Sequence, residues 1–444
     1  MSSAQPVLQQ FAELMAARRQ QRREPEWLQA WRDNACSALL ASGLPNRRLE
    51  SWHYSDADIW LQQYGERHAL APITPDTDAL QIPRDEPPGD QLLFNHGYLT
   101  DEQLDNIDRD KLTLLPLADL SAAEHGELLT WLQERSSSDP LGHLVSALAP
   151  ESWVLIVRAG TQVSRTVVLS QLSSRPGVQA GQLIIWVQRG AQATLLDDFR
   201  ALDGCAEELT LSHVLLKLDA DSRLTYVRLQ RDSASSQHYG VVEGDVGRDA
   251  LFRAQCLVGS VSAECGDQPH SNRLRNGFYI RLAEPGAEFV ARGAFAASDR
   301  QHIDYHLTVD HMSDHGRSDV LFQALAGDRS RAVINGRIHI GGGTRGNDGH
   351  FTSHNLLLSD TAEIDAKPEL EIYADEVACS HGATIGQLDE EQILYLQSRG
   401  IERELAITLL MEGFLKSGML EDLDEELARF LRGHLLASIG GEHL

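Results

Sequence analysis

The sequence predicts a mainly β fold: a β-solenoid core over residues 151–386, between an N-terminal helical and mixed region (1–150) and a C-terminal helical region (387–444). Three observations point to it. From Trp153 the chain breaks into short runs rich in β-branched residues, such as Trp153-Val154-Leu155-Ile156-Val157, Thr166-Val167-Val168-Leu169 and Leu183-Ile184-Ile185-Trp186-Val187. These are too short for helices. Units of one shape then recur, beginning at Gly190, Asp221, Asp249, Gly286 and Thr361, each placing a small or turn-forming residue before an alternating strand. Most neighbours in the series lie roughly 30 residues apart, and one longer gap leaves room for a further unit. Finally, aromatics make up only 6% of the chain, so the core rests on Leu, Ile, Val and Ala. That suits thin layers stacked on one another. A β-sandwich offers similar strands but usually stays near roughly 100 residues, far less than the strand-rich region here.

The elements follow in order. Val7, Phe11, Leu14 and Met15 fall at helical spacing, and a second helix is expected from about Glu26 to Ala41, stopped by Gly43-Leu44-Pro45. The Pro-rich piece 83–88 reads as loop. Ser121 to Glu134 reads as helix, with Ser121 and Glu124 as its capping box, and a short helix is expected from Leu141 to Ala149, before Pro150. After Gly386 the chain turns helical again. Asp389-Glu390-Glu391-Gln392 resembles a capping box, and a break is expected at Arg399-Gly400. A following helix carries Leu405, Leu409, Leu410 and Phe414, and a last one Leu423, Leu427, Phe430 and Leu431. These C-terminal helices are expected to cap the solenoid or dock a partner, with Leu410 and Phe414 on one face, buried inside the domain or at the partner contact.

Composition excludes several functions. Thirty-nine Lys and Arg against sixty-five Asp and Glu give a formal charge of −26, spread along the chain rather than gathered in a tail. Such a chain repels phosphate backbones and anionic lipid, so neither nucleic acid nor a membrane is an expected partner. Residues 1–23 lack an apolar signal core, and no stretch approaches the roughly 18 apolar residues of a spanning helix. Five scattered cysteines, Cys36, Cys205, Cys256, Cys265 and Cys379, contain no CxxC pair. They encode neither a disulfide framework nor a four-cysteine metal site, and a cytoplasmic location fits.

Two groups of residues carry chemistry. Eight of the eighteen histidines lie between positions 302 and 381: His302, His306, His311, His315, His339, His350, His354 and His381. By even spacing His302 and His306 share a strand face, as do His311 and His315 unless a bend intervenes, and such arrays either hold a metal or line a solvent-facing sheet. The glycine-rich turn Gly341-Gly342-Gly343-Thr344-Arg345-Gly346 is followed by no Lys-Ser or Lys-Thr, so it is no phosphate loop. The sharper spot is Cys379-Ser380-His381-Gly382-Ala383-Thr384. In a strand Cys379 and His381 point to one face, roughly 6.5–7 Å apart. A thiolate beside an imidazole can hold iron or zinc, or act as nucleophile and base, or simply pack.

The run Lys367-Pro368-Glu369-Leu370-Glu371-Ile372-Tyr373-Ala374-Asp375-Glu376-Val377, then Cys379-Ser380-His381-Gly382-Ala383-Thr384-Ile385-Gly386, Asp389-Glu390-Glu391-Gln392 and Tyr395-Leu396-Gln397-Ser398-Arg399-Gly400-Ile401, resembles the C-terminal signature of the SufB/SufD family, on its SufD side. These are scaffold proteins of the SUF iron–sulfur cluster assembly system. Gly43-Leu44-Pro45 with Glu50, Trp52 and Tyr54 is similar to the family's N-terminal stretch, with Leu49 and His53 as departures, and Asn335-Gly336-Arg337-Ile338 lies where the family has a similar strand.

The resemblance implies a right-handed parallel β-helix between helical regions and a non-catalytic scaffold role. It implies a complex with a SufB-type paralogue and the SufC-type ATPase, the latter docked by roughly 389–432. It places Cys379 and His381 at a nascent-cluster site shared with SufB. The isolated chain is then expected to hold no cofactor stably, with iron or the nascent Fe–S cluster bound in the complex. In isolation an exposed lateral edge allows a homodimer. The competing reading is an enzyme, a metal-dependent or carbohydrate-active β-helix protein using the histidine cluster. Such enzymes need paired carboxylates in a long groove, and no such pair stands out.

Overall fold

The computed structural model of the chain describes residues 5–68, 70, 87–99, 110–134, 137, 139–173, 177–202, 207–259, 270–416 and 419–440. Most of the Pro-rich loop 83–88, together with Cys205 and Cys265, lies outside the described residues. Three strands precede the repeat: β1 (Asp90–Asn95), β2 (Tyr98–Leu99) and β3 (Leu112–Pro116). The repeat begins with β4 (Ser152–Val157), β5 (Val167–Ser173), β6 (Gly177–Val187), β7 (Gln192–Ala201), β8 (Glu208–Leu218), β9 (Arg223–Arg231), β10 (Gln237–Val246) and β11 (Leu251–Val258). It continues through β12 (Arg273–Leu282), β13 (Glu288–Ala297), β14 (His302–His311), β15 (Arg317–Ala326), β16 (Arg331–Ile340), β17 (Asn347–Leu357), β18 (Glu363–Ile372) and β19 (Val377–Gln387).

From β4 onward the strands alternate between two parallel sheets, so each turn adds one strand to each. The first sheet holds β4 and the even strands to β18, the second β5 and the odd strands to β19. The result is a parallel β-solenoid of about seven turns. Its start is closed by the early strands: β3 pairs antiparallel with β4, while β1 pairs with β5 and carries β2 on its outer edge.

The corners explain the repeat. Gly160, Gly190, Asp221, Asp249, Gly286, His315 and Gly346 all have left-handed φ, between +53° and +74°. Each donates its N–H to the carbonyl of the residue just before the next corner of the series, from Gly160 to Arg189 at 2.8 Å through to Gly346 to Glu376 at 2.7 Å. Four of the five units read from the sequence are these corners. The longer gap hides two more, at His315 and Gly346. Thr361 belongs to the opposite side of the solenoid, leading into β18 of the first sheet.

Between the sheets, inward residues form one apolar column, from Leu92 and Leu155 through Tyr226 and Phe289 to Ile338 and Phe351. Gly336 in β16 is required there, because a Cβ on it would lie 1.8 Å from the Phe351 ring. The lumen also holds a charge. Arg228 is fully buried, 3.5 Å from the Asp197 carboxylate, and donates to Ser212 Oγ at 2.7 Å and His238 Nε2 at 2.9 Å. Tyr226 donates its hydroxyl to Asp197 at 2.5 Å.

The helices cover the flanks. At the N-terminus are α1 (Gln5–Gln21), α2 (Glu26–Ser42), α3 (Ala57–Arg67), α4 (Ala122–Gln133) and α5 (Pro140–Leu148). Their apolar faces pack on the outer side of the first sheet, Phe11, Leu61 and Leu144 beside Leu209, Leu211 and Tyr239, and Leu28, Leu128 and Leu132 beside Ile156 and Ile184. The expected capping box of α4 forms between Ser121 and Glu124. The C-terminal helices are α6 (Glu390–Ser398), α7 (Arg403–Lys416) and α8 (Glu425–Ser438). Instead of capping the solenoid end, α7 and α8 lie along the outer side of the second sheet, where Met411, Leu415, Leu427, Leu431 and Leu435 meet Val227, Leu229 and Leu257. The buried face of α7 is therefore Ala406, Met411 and Leu415, and Leu410 and Phe414 are only half-buried.

Candidate functional site at the last turn

Because the C-terminal helices follow the flank, no described strand stacks on β18 or β19. Both are edge strands of their sheets. Their residues are half-buried or exposed, whereas the turn beneath them is mostly buried. Ile372, Tyr373 and Ile385 are among the exposed large apolar side chains of the chain. An uncovered strand edge presents unpaired N–H and C=O groups to another chain.

Cys379 and His381 lie on this edge. The ladder between β17 and β19 is continuous, with Cys379 opposite Gly349 and His381 opposite Phe351. Phe351 points into the lumen, so Cys379 and His381 share the lumen-facing side, and Cys379 packs against the top of the apolar column. Cys379 is half-buried and His381 exposed. The alternate residues face outward: Ser380 meets His350 Nδ1 at 2.6 Å, and Thr384 meets His354 Nδ1 at 2.9 Å. Burial pushes the Cys379 thiol up, and the nearby Asp348 adds to the shift, while a hydrogen bond from the Gly349 backbone offsets part of it. A thiol held protonated is a poor lone nucleophile. No hydrogen bond among the described residues joins it to His381, so the pair lacks the geometry of a nucleophile and base. A soft donor and an imidazole side by side can supply at most two of the four ligands of a tetrahedral site, and Cys379 also packs on the apolar column.

The other histidines do not converge. His302 and His306 alternate on β14 with the lumen residues Ile303, Tyr305 and Leu307, so they share the outer face. That face is not solvent-exposed. The N-terminal segment covers His302, which lies against Ser55 and the Trp60 ring, while His306 is buried beside Tyr279 of the neighbouring β12. Burial drives both imidazoles down, His302 to about 4 and His306 to about 3. His311 points the other way, with Nε2 2.8 Å from Ser318 Oγ, and His315 is the corner residue of its turn, so a bend does separate these two. His339 sits 3.3 Å from Asp310. Among the described residues no group of three or more His, Cys, Asp or Glu is arranged to hold a metal ion, and no helix is long and apolar enough to cross a membrane. Sequence reasoning placed Glu50 and Lys367 in separate motifs and missed their contact: the Glu50 carboxylate meets Lys367 of β18 at 2.9 Å and ties the N-terminal motif to the C-terminal one.

Comparison with known proteins completes the description. Residues 169–414, more than half of the chain, match the model of the SUF system FeS cluster assembly SufBD core domain. The chain is similar to the iron–sulfur cluster assembly protein SufD of Escherichia coli, 26% identical over 411 residues and 90% of each chain. An iron–sulfur cluster assembly SufBD family protein of Synechocystis is 26% identical over 417 residues, 91% of this chain and 88% of that one. One from Mycobacterium leprae is 30% identical over 242 residues, 53% of this chain and 58% of its own.

Proposed function

The chain belongs to the SufBD core family of the SUF iron–sulfur cluster assembly system, and from that membership we propose that it is a non-catalytic, cytoplasmic scaffold subunit which completes a cluster site only with a partner. The partner is a SufB-type paralogue, paired along β18 and β19. Cys379 and His381 contribute to a nascent cluster that the paralogue's own donors complete, and the cluster is cargo rather than a resident cofactor. The C-terminal region 387–444 docks the SufC-type ATPase.

The observation that supports this reading is the position of Cys379 and His381 on an edge strand with no described strand stacked above it. One thiolate and one imidazole leave a tetrahedral site half-filled. A second chain continuing the sheets brings its residues to the same edge. The exposed Leu394 and Tyr395 of α6 suit a protein contact beside that edge.

The test is co-expression with SufB-type and SufC-type proteins, reading complex formation by co-purification and cluster yield by the absorbance of the brown holo-form. The His381→Ala variant is expected to assemble and to lose most of the cluster. Full yield from a stable complex would make the motif structural, and absence of any complex would remove the scaffold reading.

A further inference from the structure

Far from the last turn, α1 and α2 run side by side over α5 and leave a groove of about 180 Å³ between them. Met15 and Ala16 of α1 line one wall, Arg32, Cys36 and Leu40 of α2 the other, and Ala147 of α5 the floor. The volume is below the roughly 300–1,000 Å³ of a pocket for a drug-sized ligand, so its occupant is a small molecule.

The charges around the groove do not cancel. Arg19 pairs with Asp33 at 2.7 Å, Arg32 with Glu24 at 2.8 Å, and Arg18 donates to the Tyr98 hydroxyl at 2.7 Å. Arg22 pairs with no carboxylate among the described residues. Its Nη2 donates to the carbonyls of Ala147, at 2.9 Å, and Ala149. Those are carbonyls at the C-terminal end of α5, where a guanidinium is favoured by the helix dipole. Capping accounts for one nitrogen. The Arg22 Nε is buried with no hydrogen-bond partner. Burial, and then the neighbouring Arg32, lower the Arg22 guanidinium to about 9, so it remains charged at neutral pH. The Nε is closed to the groove, so what favours an anion there is the guanidinium charge itself, which lines the groove without a carboxylate partner among the described residues. The chain as a whole carries −26, which makes a local surplus of positive charge the more specific.

We propose that this groove binds a small organic anion with an apolar body, a short-chain or aryl carboxylate, its carboxylate on Arg22 and its carbon skeleton between Met15 and Leu40. The site is independent of the cluster edge.

Cys36 lines the groove and is a free thiol, which makes it the reporter. Its alkylation rate, followed on the Cys36 peptide by mass spectrometry, is measured with hexanoate, benzoate, hexanol and inorganic phosphate, and binding is measured by calorimetry. Hexanoate or benzoate should slow the alkylation saturably, and hexanol and phosphate should not. Arg22→Gln should weaken carboxylate binding roughly tenfold or more, the loss of a charged hydrogen bond. Because that change also removes a cap of α5, Ala16→Phe serves as the second variant. It fills the groove, leaves Arg22 in place, and should abolish both protection and heat of binding while keeping the melting temperature. No saturable protection by either carboxylate, equal protection by hexanol, or unchanged binding in Ala16→Phe would each overturn the proposal.

Discussion

Ser55 and His302 meet in a buried hydrogen bond of 2.9 Å, although they lie 247 residues apart. The Ser55 hydroxyl has one proton and donates it to Asp304 at 2.5 Å, so His302 Nε2–H is the donor to Ser55. The contact pins the N-terminal segment to the first sheet through an imidazole whose burial disfavours the charged form.

Acid should therefore loosen that segment. His302 is held at about 4 by burial, against the attraction of Asp304 and with Arg331, Arg275 and Arg273 adding to the shift. His306 is held at about 3 by burial and by Arg275, opposed by Asp304, with Arg337 and Lys367 adding to it. Unfolded histidine takes up its proton near 6.5. Below that pH the unfolded state binds protons that the folded state refuses, so stability falls as pH drops from about 6.5 toward about 4. At pH 5 the loss is on the order of 2 kcal/mol per histidine. Urea midpoints at pH 7 and pH 5 should differ accordingly, and the slope should flatten in the His302→Asn/His306→Asn variant. A pH-independent midpoint would contradict the assignment.

The lumen charge makes a second prediction. Arg228→Ala leaves Asp197 buried without its cation, at a cost of about 3–5 kcal/mol. Replacing both, as Asp197→Leu/Arg228→Met, should recover most of it, because an apolar pair of similar volume needs no desolvated charge. Chemical denaturation of the parent and the two variants reads the result. If the double variant loses as much as Arg228→Ala, the orphaned Asp197 carboxylate is not the source of the cost.

Gly336 offers a third. A Cβ at 336 meets the Phe351 ring at 1.8 Å, so Gly336→Ala should cost about 1–3 kcal/mol of overpacking strain. Phe351→Leu in the same chain should return part of that loss. If Gly336→Ala melts like the parent, the close approach is not a constraint.

At the edge, Cys379→Ala should lower cluster yield less than His381→Ala, since a partner's thiolate can hold the sulfur in its place. The comparison needs both variants in one assembled complex with yields measured side by side. The reverse order would shift the ligand role to the thiol.

The two faces of α7 should behave differently. Met411→Asp/Leu415→Asp places charges in the contact with the second sheet and should unseat the C-terminal helices, costing about 2 kcal/mol or more for each buried side chain. Leu410→Asp/Phe414→Asp falls on the half-buried face, where Phe414 still touches the flank cluster, and should lower the melting temperature less than the first pair while abolishing retention of the SufC-type ATPase in a pull-down. Retention would remove this face from the interface.

Much of the fold was legible because solenoid turns repeat their chemistry. Gly190, Asp221, Asp249 and Gly286 are residues that accept left-handed φ, and they read as corners. His315 does the same task and did not, although histidine is enriched among non-glycine residues at left-handed φ, because its even spacing from His311 reads as a strand face. Thr361 read as a corner of the same series because its segment resembles the others, though it enters the other sheet. Helix α7 was found; Leu410 and Phe414 have the spacing of one face, but so do Met411 and Leu415, and within the chain it is the latter pair that the sheet buries. Which pair is buried depends on the sheet beneath. The alternation that puts Cys379 and His381 on one face was readable from spacing alone. That no described turn covers them was not, since it depends on where α7 and α8 go.

The corner hydrogen bonds run in one direction, each turn donating to the next, and the series stops at Glu376. A stack held by nearest-neighbour bonds opens from its ends. Its start is clamped by β1 and β3, so the breathing is concentrated in β18 and β19, whose amides should exchange with solvent fastest within the solenoid. The edge that carries Cys379 and His381 is thus also the part of the solenoid with the most motion left to lose, and a chain that docks there stills it as well as aligning it.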